Sequence, residues 1–188
     1  MKTLPNIVPR GRGELVMLIV GKTPACVSVK EGHYFRGTHG KRFWKLLGAH
    51  TAFKRGAAAF EDESLLQYGF GITDIVKKPR EFGKEPTKEE YCEGIKGVQN
   101  LILTYKPAIL LFVYKRSLDK WMRWQFGHSA KATYGFDRPA EREFNRAVFA
   151  APLPGVGRCT SDRIESCWRQ LGRRLATAPL PCRRNSND

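Results

Sequence analysis

At 188 residues, with 41% hydrophobic and 11% aromatic side chains, the chain has the size and composition of one folded domain. That core size excludes wholesale disorder and removes any need for a disulfide framework. It carries 33 Lys and Arg against 18 Asp and Glu, a net charge of +15, which favours a polyanionic partner because each phosphate paired with a cation releases condensed counterions.

The chain opens without a sustained apolar segment before Arg10 and Arg12, so no secretory signal is expected and a cytoplasmic location, nucleoid-associated if bacterial, follows. The longest apolar runs, 15–20 and 108–114, fall far short of the ~18 residues that cross a bilayer, so no membrane partner is expected either. The run 15–20, LVMLIV, reads as a strand buried on both faces and ended by Gly21. Residues 22–41 show little periodicity and read as a long functional loop, after which Phe43, Leu46 and Leu47 resume helical spacing. Glu61, Asp62 and Glu63 ahead of Leu65 and Leu66, with Gly69 beyond, predict a short helix, and 69–76 a loop and strand.

Thr87 with Glu90 forms a capping box for a longer helix whose apolar positions Tyr91, Ile95, Val98, Leu101, Ile102 and Tyr105 repeat until Pro107. A second buried strand is predicted at 109–114, then a helix marked by Leu118, Trp121, Met122 and Phe126 and closed by Gly127. Short strands are expected at 133–136 and 147–151, followed by a last helix capped by Ser161. The domain is read as 1–176 and residues 177–188 as a frayed tail. Buried strands alternating with helices indicate an open, mostly parallel sheet covered on both faces, with ligands beyond the carboxyl ends of its strands. The cysteines Cys26, Cys92, Cys159, Cys167 and Cys182 are odd in number and scattered, which suits reduced thiols and neither a metal site nor an iron–sulfur cluster.

Directly after the first strand stand Gly21-Lys22-Thr23-Pro24-Ala25, then Gly32-His33-Tyr34-Phe35-Arg36-Gly37, then Arg42-Phe43-Trp44-Lys45. In this order and spacing they resemble the motifs of the uracil-DNA glycosylase superfamily, most of all its mismatch-specific uracil/thymine branch, whose first motif is Gly-Ile-Asn-Pro-Gly. Tyr68 to Val76 is similar to that branch's Gly-x-Thr-x-x-Val segment. Residues 148–158 lie where the family has its DNA-inserting motif.

The resemblance implies a three-layer α/β/α sandwich around a mostly parallel four-stranded sheet. It also implies a monomer that flips uracil from DNA and hydrolyses its N-glycosidic bond with no metal or cofactor. On this likeness Phe35 is the stacking platform. The turn Lys22, Thr23, Pro24 and Ala25 clamps the base carbonyls with backbone amides, and Asp74 sits where relatives carry a base-contacting residue, commonly Asn. Thr23 replaces the family's water-holding Asn, and a hydroxyl offers fewer hydrogen-bonding groups than an amide, so help from His33 is expected. The Asn-Pro-Ser-Gly of close relatives has become Pro152-Leu153-Pro154-Gly155, leaving Val156, Arg158 or Leu153 as the wedge. Gly155, Val156, Gly157 and Arg158 would probe the duplex, with Arg36, Lys41, Arg42 and Lys45 along the phosphates. Rival readings are a glycosylase for hypoxanthine or xanthine, a catalytically silent DNA-binding protein that kept the fold, and a small-molecule nucleotide enzyme using the same strand-end loop.

Overall fold

The computed structural model describes residues 2–11, 13–81 and 84–178, so that most of the expected tail, with Cys182, lies outside the described residues. In chain order it runs β1 (Met17–Gly21), α1 (Cys26–Glu31), α2 (Thr38–His50), a 3-10 helix (Glu61–Tyr68), β2 (Phe70–Asp74) and α3 (Lys88–Tyr105). Then follow β3 (Ile109–Phe112), α4 (Lys115–Phe126), β4 (Gly135–Phe136), α5 (Arg138–Phe144), β5 (Ala147–Ala150) and α6 (Ser161–Ala176). The sheet order is β2-β1-β3-β5-β4. All neighbours are parallel except β4, which pairs antiparallel with β5. The expected four parallel strands are present, and the two-residue β4 adds a fifth at the edge.

Every residue of β1, β2, β3 and β5 is buried, as strands covered on both faces must be. Because successive strand side chains point to opposite faces, Met17, Ile19, Ile109, Leu111 and Phe149 pack with Phe43, Trp44 and Leu47 of α2 and Ile164, Trp168 and Leu171 of α6. Leu18, Val20, Leu110, Phe112 and Val148 pack on the other face with Tyr91, Ile95 and Val98 of α3, Leu118 and Trp121 of α4, and Phe144 of α5. Each such fully buried aliphatic side chain stabilises the fold by roughly 1.5–3 kcal/mol. Alternation inside the strands therefore builds the three layers.

Several elements depart from the sequence reading. The stretch 22–41 is not loop throughout: α1 occupies Cys26–Glu31 and α2 begins at Thr38. The acidic segment before Gly69 is a 3-10 helix, and α5 stands where no helix was expected. Thr160 rather than Ser161 caps α6, its side chain accepting from the Arg163 amide at 3.3 Å. The capping box of α3 is in place, Glu90 N donating to Thr87 Oγ1 at 3.2 Å and Thr87 N to Glu90 Oε2 at 2.8 Å. Ile7 bridges antiparallel to Ile72, which shields the outer edge of β2. Among the described residues no helix is long and apolar enough to cross a membrane.

From β1 the chain passes to β2 on one side, then crosses to β3 on the other. The carboxyl end of β1 is thus the point where strand order reverses, the position at which such sheets open a crevice.

Candidate active site

The turn leaving β1 is zipped to the chain that leaves β2. Ile75 N donates to Gly21 O at 3.0 Å, Val76 N to Lys22 O at 3.0 Å and Arg80 N to Pro24 O at 3.0 Å, while Thr23 Oγ1 donates to Lys78 O at 2.6 Å. Peptide units are trans here, so each carbonyl turned toward residues 75–80 sets the following amide on the opposite side. The amides of Lys22, Thr23 and Ala25 therefore face away from that segment. Next comes α1, whose N-cap Ala25 supplies no side-chain hydrogen bond to the helix's first amides.

A cleft of about 680 Å³ opens here, walled by Thr23, Pro24, Ala25, Phe35, Asp74 and Tyr114 among others. Phe35 is held with a left-handed backbone, φ 57°, a conformation uncommon for a bulky residue. Its ring meets Phe43 at 5.3 Å and Trp44 at 5.7 Å between centroids. Gly40 makes this possible, since a Cβ there would lie 2.1 Å from the Phe35 carbonyl oxygen. At Gly21 an added Cβ would lie 2.0 Å from Asp74 Oδ1 and 3.2 Å from Phe35 Cε1. Aromatic ring and carboxyl thus converge over the bare backbone of Gly21.

Asp74 is buried, and neither carboxyl oxygen has a hydrogen-bond partner among the described residues. Burial pushes its acidity constant up to about 7, with Lys77 pulling the other way. Burial and the Asp74 charge together push the Tyr34 and Tyr114 phenols up.

Two residues expected at the site point elsewhere. The amine of Lys22 donates to Glu85 Oε1 at 2.8 Å, and Lys120 holds the other oxygen at 2.8 Å. Burial pushes the Glu85 carboxyl up, but the two lysines outweigh it and hold it at about 2. His33 lies outside the cleft lining: Nδ1 sits 3.0 Å from Asp62 Oδ1, and the ring stacks on Phe60 at 3.6 Å. Thr23 does line the cleft, but its proton is committed to Lys78, leaving lone pairs that accept and do not donate.

The family model for the Uracil DNA glycosylase superfamily matches residues 8–172. The chain belongs to this superfamily. It is 28% identical, over 158 residues and 80% of its length, to the G/U mismatch-specific uracil DNA glycosylase of Schizosaccharomyces pombe (strain 972 / ATCC 24843), covering 48% of that protein. The chain therefore spans about half the length of this curated relative. Its fold is similar to a solution NMR structure, described provisionally as a uracil DNA glycosylase, from Methanosarcina acetivorans. The TM-score is 0.59 at 17% identity, covering 93% of this chain and 98% of that one.

The superfamily's second motif region is here a tight turn, with Val156 N donating to Leu153 O at 3.1 Å. Pro154 at its second position and Gly155 at φ 73° in its third give type II geometry. Arg42 of α2 donates to Pro154 O at 2.8 Å and Tyr134 OH to Val156 O at 3.4 Å, so the turn is held from both flanks. Leu153 is buried in the core and cannot serve as a wedge; Val156 packs partly against the same core. Gly155, Gly157 and Arg158 are exposed.

The expected row of cations is uneven. Arg36 is taken by Glu31 at 2.7 Å and Glu61 at 3.2 Å and lies over the Phe60 ring. Lys41 and Lys45 are exposed and, among the described residues, make no ion pair. Tyr114, Leu4 and Arg80 also line the cleft. Tyr114 was discoverable from its place just beyond β3, at the reversal point; Leu4 and Arg80 arrive by tertiary contacts that leave no local signal.

Proposed function

We propose that this chain is a monofunctional glycosylase that flips uracil out of DNA, stacks it on Phe35 and hydrolyses its N-glycosidic bond. The observation that carries the reading is the convergence of the Phe35 ring and the Asp74 carboxyl over Gly21, at the strand-order reversal of a superfamily member. A flat π-face is worth roughly 1 to 3 kcal/mol to a stacked base of any sequence. Charge that develops on the departing pyrimidine meets amides of the turn 22–25, whose carbonyls are tied to residues 75–80 before substrate arrives. Such preorganised donors favour the transition state over the ground state.

Water activation is the weak point of the site. Thr23 Oγ1 accepts one hydrogen bond from a water but, donating already to Lys78 O, cannot hold that water by a second bond of its own. Hydrolysis by this site is slow, and this same observation supports the alternative of a DNA-binding protein that has lost excision.

Oligonucleotides containing a single uracil, single- and double-stranded, are incubated with the protein and treated with alkali to cleave abasic sites. Strand scission that depends on uracil is the expected result, and Phe35→Leu, which keeps the apolar volume but not the flat face, lowers the single-turnover rate about tenfold, within the stacking range above. No scission with salt-dependent binding retained establishes the silent reading. Scission only with hypoxanthine or xanthine establishes the purine reading.

Lys41 and Lys45 are the phosphate contacts that the geometry leaves available. Lys41→Ala and Lys45→Ala are each expected to weaken binding evenly across sequences and to reduce the slope of log affinity against log salt by about 1. Arg36→Ala leaves that slope where it is. Binding titrations over a series of salt concentrations check both.

A further inference from the structure

Asp74 is a carboxyl group with nothing to pair with. It ends β2 beside Gly21 of β1, its oxygens are shut from water, and neither has a hydrogen-bond partner among the described residues. The groups that face it come from three other segments. Lys77 follows on its own chain, but the Lys77 amine is spent on Asn6 Oδ1, on Thr73 Oγ1 at 3.1 Å and on the Tyr34 hydroxyl at 3.5 Å. Tyr34 lies on the loop after α1 and donates to Pro5 O at 3.0 Å; Tyr114 stands just before α4; the Phe35 ring closes the remaining side.

A bare carboxylate in such a place is among the most expensive groups a protein can bury, whereas the uncharged acid costs far less. The uncharged acid is also a different reagent. It carries one donor and one acceptor side by side, the pair that a primary amide presents. We propose that Asp74 reads the flipped base as an uncharged carboxylic acid, its carbonyl oxygen accepting from a ring N–H and its hydroxyl donating to the neighbouring ring carbonyl.

This assignment rests on the glycosylase reading and names the substrate feature that reading leaves open: a lactam edge, N–H beside C=O, as uracil presents at N3 and O4. An ionised carboxylate accepts from the N–H but confronts the carbonyl oxygen with a second negative oxygen. Recognition therefore fades as the acid ionises. The rise of its acidity constant to about 7 places that loss just above neutrality.

The test is calorimetric titration of the full chain with free uracil from about pH 5 to about pH 9, the limits set by the ordinary range of protein ionisations. Wild-type affinity is expected to be level below neutrality and to fall about tenfold per pH unit above it. Asp74→Asn is expected to bind with a level profile, and 3-methyluracil, which lacks the N–H, not to bind. A wild-type affinity that is level or rises across the range overturns the proposal, as does an equal fall in Asp74→Asn or no binding at any pH. Infrared difference spectra between wild type and Asp74→Asn read the protonated carboxyl stretch without ligand, and an ionised Asp74 in mild acid also overturns it. If uracil binds with the expected profile but no oligonucleotide is cut, the glycosylase reading falls while the assignment of Asp74 stands.

Discussion

Asp74→Asn is expected to leave thermal stability nearly level at pH 4 and to raise it above pH 7. The sign follows from the direction of the shift. The carboxyl is raised from its ordinary 3.8 to about 7 in the folded chain, so between those values the folded state holds a proton that the unfolded state has lost. Stability is fully present below the lower value and declines as pH climbs through the higher one. At about 1.4 kcal/mol per pH unit, the loss that the variant escapes is on the order of 3 to 4 kcal/mol. An amide in the same place has a desolvation cost of its own, but not that of a buried charge. Melting curves of both proteins across this range decide it. A variant less stable than wild type at pH 8 means that Asp74 is ionised and paired after all.

Gly40→Ala is expected to destabilise the protein by about 2 to 3 kcal/mol, the range of forced overpacking. Gly40 lies in the first turns of α2, where glycine to alanine ordinarily gains about 1 kcal/mol. Here the new methyl group would sit 2.1 Å from the carbonyl oxygen of Phe35 and 2.4 Å from its carbonyl carbon, and a backbone cannot swing aside as a side-chain end does. The left-handed turn that aims the Phe35 ring must open. Urea unfolding gives the size of the loss, and a matching drop in uracil-dependent scission shows that the ring has moved with it. A gain in stability would mean that Phe35 rearranges freely.

The sequence was most readable where one residue sets one local outcome. Runs of apolar residues marked the buried strands, and Thr87 with Glu90 marked the start of α3. The helix α1 left no comparable trace: its cap is Ala25, it carries the β-branched Val27 and Val29, and it is too short for a periodicity. By contrast α5 was legible and passed over, since Asp137 caps it by accepting from Ala140 N at 2.9 Å and Asn145 ends it in the left-handed region.

The same division runs through the site. Phe35, Asp74, Thr23, Pro24 and Ala25 were placed by motif and all line the cleft. Lys22 and His33 neighbour them in sequence, yet their side chains are claimed by Glu85 and Asp62, partners distant along the chain that no local pattern announces. Arg36 is lost to Glu31 and Glu61 in the same way. Charge counted along a sequence overstates what a surface has left to offer.

The bond from Arg42 to Pro154 O joins two motifs that are more than a hundred residues apart in the chain. Arg42 is the immediate neighbour of Phe43 and Trp44, the rings that back Phe35. Tip and ring are therefore coupled as the two ends of a lever. A duplex leaning on the exposed Gly155 transmits its push through one guanidinium to the rings behind Phe35, so contact with the helix is felt where the extruded base must land.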